Sequence, residues 1–163
     1  MKLWLFLLVF ACANSSVSPK PVENFDLNKY LGTWHEIARI ENRFEKNCTN
    51  VTANYSLRSD GGINVLNKCV VNGKEKTASA VGYFYKSSNV GLFKVAFFWP
   101  FYAKYNISYV DENYQHAIVD SGRGYLWILA RQKTVDTQTM EKIIAKMKEN
   151  DLEHEKLMYT KQD

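Results

Sequence analysis

The chain has 163 residues, enough for one domain and too few for several. Hydrophobic residues make up 46% and charged residues 23%, which excludes a disordered or low-complexity chain, and 14% aromatics suit an apolar interior between strands. The net charge of +4 comes from Lys and Arg interleaved with acids; without a basic stripe, nucleic acid is not an expected partner.

Residues 1–13, MKLWLFLLVFACA, join one Lys to an apolar run and small residues. This reads as a secretory signal, too short to cross a bilayer as a stable helix. Two cleavage readings compete. VFAC at 9–12 has the form of a bacterial lipobox, with a signal at 1–11 and Cys12 lipidated. ACA at 11–13 is an A-x-A site that would release a soluble protein beginning at Asn14. The lipobox is the preferred reading. Residues 12–24, polar with two prolines, then read as the lipidated N-terminus and tether, and 25–163 as the folded domain.

Short strand signals follow at regular spacing: WHEIARI (34–40), VTANYSL (51–57), INVLNKCV (63–70), TASAVGYFYK (77–86), LFKVAFFW (92–99), KYNISYVD (104–111), YQHAIVD (114–120) and YLWILARQ (125–132). Gly, Asn, Asp, Ser or Pro bound each one. The period then changes. TVDTQTMEKIIAKMKEND puts Met140, Ile143, Ile144 and Met147 on one helical face, with Asp136 or Thr137 to cap the start and Asn150 near the end. KLMYTKQ allows a last short strand. This order predicts an all-β, eight-stranded antiparallel up-and-down barrel with a C-terminal helix packed outside. A barrel of eight strands has room for one small ligand.

Cys48 and Cys69 are the cysteines left in the domain. Export implies an oxidising compartment, so they are expected to pair. The turn RSDGG sets residue 51 opposite residue 69, so Cys48 needs a bulge or bend to reach bonding range. With no CxxC and no nearby His, a metal site is not expected. No cofactor is implied.

Three stretches in order resemble the motifs of the lipocalins. NKYLGTWHEIAR carries a G-x-W at the mouth of the first strand, YVDENYQHAIV an acidic turn between late strands, and YLWILARQ a terminal Arg. NYSLRSDGGINVLNK and FFWPFYAKYNI are similar to bacterial lipocalins and to apolipoprotein D. The resemblance runs from about Phe25 to the C-terminus. It implies that Trp34, beside Gly32, plugs one end of the barrel with Arg131 stacked across it, a structural pair rather than a ligand site. It also implies a ligand site, because Tyr55, Asn67 and Trp127 match a Tyr, an Asn and a Trp that contact ligand in apolipoprotein D. The chain departs from the pattern at His35, often Tyr, and at FFWPF for FFGPF, which places Trp99 near the open end.

Strand alternation fills in the rest of the wall. Trp127, Leu129 and Arg131 share a face, as do Ala53, Tyr55 and Leu57, and Phe93, Val95 and Phe97. The plain reading of Phe93, Val95, Phe97 and Leu129 is ordinary core; the functional one is an apolar pocket. An inward Asn67 amide needs a partner that a ligand could supply. Ala78, Ala80 and Gly82, if inward, are expected to leave volume empty.

Enzymatic signatures are missing: no G-x-S-x-G, H-E-x-x-H or G-x-G-x-x-G, isolated histidines, no free pocket Cys and no paired acids in the pocket. Asp111 and Glu112 read as a solvated turn. NCT, NVT, NYS and NIS match glycosylation sequons. The expected function is therefore a non-enzymatic carrier of fatty acids or lysophospholipids, storing or moving membrane lipids, anchored on the periplasmic side of an outer membrane. A homodimer stays open. A secreted eukaryotic carrier of a hydrophobic signal and a lipocalin-type enzyme are the alternatives. The mass of the mature chain separates the first two: an acylated Cys12 is expected, and a free Asn14 would assign the secreted form.

Overall fold

The computed structural model describes residues 19–163, so the expected signal and Cys12 lie outside the described residues. Eight strands follow one another: β1 (Gly32–Ile40), β2 (Thr49–Leu57), β3 (Ile63–Val71), β4 (Lys74–Phe84), β5 (Leu92–Phe98), β6 (Phe101–Val110), β7 (His116–Asp120) and β8 (Leu126–Ala130). Each pairs antiparallel with the next, and β1 pairs with both β8 and β2, which closes the barrel. A one-turn helix, α1 (Leu27–Tyr30), precedes β1. Helix α2 (Thr137–Glu149) follows β8, and β9 (Leu157–Tyr159) pairs with the end of β1.

Alternation sorts the side chains into two layers. In β8, Trp127 and Leu129 face the interior cluster, whereas Leu126, Ile128 and Ala130 face α2. The helix answers with Ile143 and Met147, both buried, flanked by Met140 and Ile144. The Asp136 carboxylate caps α2 by accepting from the Thr139 N–H at 2.9 Å. β1 slips register between Glu36 and Ala38, so Ile37 and Ala38 both pack under α2.

A second bulge, between Thr49 and Thr52 in β2, supplies the bend that Cys48 needs. Cys48 and Cys69 form a disulfide with Cα atoms 5.5 Å apart, tying the β1–β2 loop to β3.

The barrel is sealed where β1 begins. Trp34 is fully buried, and its indole N–H donates to the Tyr30 carbonyl at 2.8 Å. The Arg131 guanidinium lies 3.9 Å from the indole centroid. Its N–H groups reach the carbonyls of Lys29 (2.8 Å), Tyr30 (3.2 Å), Leu31 (2.9 Å), Thr33 (2.8 Å) and Tyr114 (3.3 Å). One planar cation thus satisfies the end of α1 and the start of β1 together. Gly32 has φ +93°, a conformation that disfavours any side chain, and a Cβ there would sit 3.5 Å from Arg131 Nη1.

Residues 19–24, expected to belong to the tether, lie against the wall. The Val22 N–H donates to the Ile107 carbonyl, Glu23 bridges Val90, and the Pro19 carbonyl accepts from Asn106 Nδ2 at 2.9 Å. Asn106 is fully buried beneath this strap, where it also donates to Asp120. The asparagine of the NIS sequon is therefore inaccessible.

The seal makes a stability prediction. Arg131→Ala removes the stacking and five carbonyl contacts, and should cost about 3 kcal/mol of unfolding free energy in a denaturant melt. Arg131→Lys should recover little, because an ammonium is not a planar fork.

Candidate ligand-binding lumen

Three cross-strand rows line β2–β5. Nearest the seal, Ile63, Gly82 and Val95 are opposite one another; above them come Tyr55, Val65 and Ala80, and then Ala53, Asn67 and Ala78. The first two rows are buried and packed. Gly82 does not leave a void: a Cβ there would come within 2.9 Å of Ile63, and Val95 closes the other side. The expectation of empty volume fails at Gly82, where Ile63 and Val95 fill the space. The third row is different. Ala78 has the same inward parity as buried Ala80 and yet is exposed. Beside it the Asn67 Oδ1 is buried without a hydrogen-bond partner. The interior is thus packed below this row, and at it β4 has already parted from β5, so Thr77 and Ser79 are exposed along with Ala78.

Phe93 and Leu129 are buried with Val95 in the interior cluster, and Trp127 packs on it partly buried. Phe97 stands at the rim, 42% exposed and outside the cluster. Leu57 is exposed at the end of β2, so it does not continue the face begun by Ala53 and Tyr55.

The floor carries a chain of three tyrosines. Tyr105 Oη lies 2.6 Å from Tyr55 Oη and 2.8 Å from Tyr30 Oη. Burial pushes all three hydroxyls up, Tyr55 to about 12. They are therefore neutral donors. Three hydroxyl protons serve two internal bonds, which leaves one proton unspent within the chain.

The mouth carries charges where only uncharged handles were expected. Glu36 faces inward opposite Leu129, and the bulge that follows it turns Arg39 inward too, opposite Trp127. Both are buried, with Arg39 Nη1 2.6 Å from Glu36 Oε1. Thr160 also donates to that oxygen, and Arg39 Nη2 donates to the Glu45 carbonyl at 2.8 Å. From the β1–β2 loop, the Glu45 carboxylate accepts from Trp127 Nε1 at 2.9 Å and from Asn42 at 2.5 Å. Burial, and then the nearby Glu45, raise the Glu36 carboxyl to about 7 against the pull of Thr160 and Arg39. The lumen therefore does hold a pair of acids. Strict alternation from Trp34 marks Glu36 as inward. Nothing in WHEIARI marks the bulge that brings Arg39 in, and Glu45 comes from a loop. Tyr105 lies on the inward parity of KYNISYVD, two before Ile107.

Elsewhere, Asp111 is more than a solvated turn. Its carboxylate accepts from the N–H groups of Asn113, Gln115 and His116 and meets His116 Nδ1 at 2.6 Å, which orders the β6–β7 turn. Among the described residues no His, Cys, Asp or Glu side chains group as metal ligands.

A closed antiparallel barrel, sealed at one end and lined by apolar side chains to an open mouth, defines a carrier of hydrophobic ligands. Residues 25–162 match the family model described as a lipocalin-like domain, and the chain belongs to the lipocalin family. It is 44% identical over 161 residues to an outer membrane lipoprotein Blc of Citrobacter freundii, covering 95% of this chain and 90% of that protein. It is 38% identical over 160 residues to mouse apolipoprotein D, covering 89% and 81%. Insecticyanin from the tobacco hornworm Manduca sexta shares the fold, with a TM-score of 0.73 at 19% identity over 89% of this chain and 85% of its own.

The buried pair gives a pH prediction. The ordinary carboxyl value of 4.5 is raised to about 7 in the folded protein. Between those values the folded state binds more protons than the unfolded, so stability falls as pH rises through this window, by at most ~3 kcal/mol. Glu36→Gln should flatten that slope in denaturant melts taken across it. An unchanged slope would show that Glu36 does not titrate there.

Proposed function

We propose that the lumen carries an acyl lipid, a fatty acid or a lysophospholipid, for storage or transport of membrane lipids. The observation that carries this reading is the third row: a small inward residue, Ala78, exposed to solvent beside an unpartnered Asn67 oxygen, above a sealed floor. Phe93, Val95 and Leu129 form the apolar lower wall, Trp127 the upper wall, and Phe97 the rim. Each buried methylene gains about 0.8 kcal/mol, so an acyl chain has ample driving force after ordering costs. Asn67 offers a polar handle. Tyr55 acts through the tyrosine chain, whose spare proton suits a carbonyl or carboxylate oxygen.

A carrier is favoured over an enzyme. Both domain cysteines are spent in the disulfide, and the acids that do approach each other are engaged, Glu36 with Arg39 and Thr160, Glu45 with Trp127 and Asn42. Relatives named outer membrane lipoproteins support an anchor at Cys12 and a place on the periplasmic side of an outer membrane.

Titration with a fluorescent fatty acid tests the site. Trp127→Ala should weaken binding about tenfold, near 1.4 kcal/mol, while the melting temperature stays within a few degrees. Parent-like affinity in this variant would remove Trp127 from the site. Lipid turned over by the purified protein would replace the carrier with an enzyme.

A further inference from the structure

The tip of the β5–β6 hairpin is the least protein-like surface of the molecule. Phe98, Trp99 and Phe101 are 79%, 80% and 78% exposed, at and beside the single β5–β6 turn at the open end. A soluble domain seldom leaves three large rings together in water. Phe44, in the β1–β2 loop of the same rim, is 68% exposed. Cations accompany these rings. Arg43 covers Phe44 at 4.7 Å, and Lys94 lies 5.5 Å from the Tyr102 ring. The turns and strand ends at the mouth expose Arg43, Lys46, Lys74, Lys76 and Arg123 against Glu41 and Glu75.

We infer that the open rim docks on the surface of an anionic phospholipid bilayer, with the β5–β6 tip entering the interfacial layer. Exposed Phe and Trp beside Lys and Arg is the composition that such a surface selects: rings settle at the head groups while cations meet lipid phosphates. A second copy of this chain, equally basic at its rim, would place like charges together. The chain path agrees. Pro19 is held on the outer face of β6 at Asn106, five positions from Phe101 along the strand. The expected anchor Cys12 is seven residues before Pro19, a reach of up to about 25 Å, so an acylated chain can stand with this rim against the membrane. Docking goes beyond the carrier reading and does not require it, although together they would open the lumen toward the lipid source.

The test uses the mature chain with Cys12→Ala, so that no acyl group contributes, and vesicles of phosphatidylethanolamine and phosphatidylglycerol. The protein should co-sediment with the vesicles, less so at high salt, and brominated acyl chains should quench its fluorescence. Trp99→Phe should lower the quenching to what Trp127 contributes from the lumen, and quenching unchanged by this substitution would count against docking at the tip. Joint replacement Phe98→Ser, Trp99→Ser and Phe101→Ser should lower vesicle partitioning at least about tenfold without moving the melting temperature. Parent protein left in the supernatant, or a triple variant that sediments like the parent, would overturn docking. So would a dimer that the triple variant dissolves, without vesicle binding. Fatty-acid titration of the same variant reads the lumen separately. Vesicle binding by a protein that takes up no fatty acid would still support docking and count only against the carrier reading.

Discussion

One guanidinium determines which end of this barrel is closed. Arg131 lies on Trp34 and collects carbonyls from α1, the start of β1 and the β6–β7 turn, groups that would otherwise end in water at the bottom of a tube. Everything above depends on it. Tyr30 is held at the end of α1, and its hydroxyl joins the chain through Tyr105 to Tyr55. Those rings form the floor on which Phe93, Val65 and Leu129 pack. Without that seal water would reach the tyrosine floor from below, and the apolar wall would lose part of the dryness that gives a ligand its binding energy.

The opposite end follows a different rule. Polar groups there are arranged in a network rather than removed. The slip in β1 places a buried ion pair beside Trp127, and the disulfide-tied β1–β2 loop lays Glu45 over it. Such a network costs desolvation and confers little stability by itself. Its consequence is geometric: it fixes the Trp127 ring and the loop that borders the lumen. The charges also make the mouth chemically unlike the floor, where the tyrosines are neutral.

Much of this was legible in the sequence because strand alternation is a strong signal wherever one face is dry. The eight strands, the helix with Met140, Ile143, Ile144 and Met147 inward, and the need for a bend at Cys48 all follow from period and turn chemistry. The Trp34–Arg131 pairing came from motif resemblance, since ninety-six residues of chain lie between the two. What was not legible lies where period fails. The bulge after Glu36 reverses parity, so Arg39 was invisible as an interior residue. Glu45 reaches the lumen from a loop, which has no period to read. Gly82 looked like empty space because sequence shows the small residue and not the Ile63 side chain that fills its place.

Trp34 stands at the sealed end of the barrel and Trp127 at the opposite one, and their indole N–H groups report on the two ends directly. Trp34 Nε1 donates to a backbone carbonyl in the seal, and Trp127 Nε1 to a loop carboxylate at the mouth. Hydrogen exchange of both protons, followed by NMR with and without bound palmitate, distinguishes the two ends. The Trp34 proton should exchange at the global unfolding limit in both states, and its resonance should barely move. The Trp127 proton should exchange faster in the free protein and shift when palmitate binds. A Trp34 proton that exchanges as readily as that of Trp127, or responds as strongly to palmitate, would contradict a closed end there.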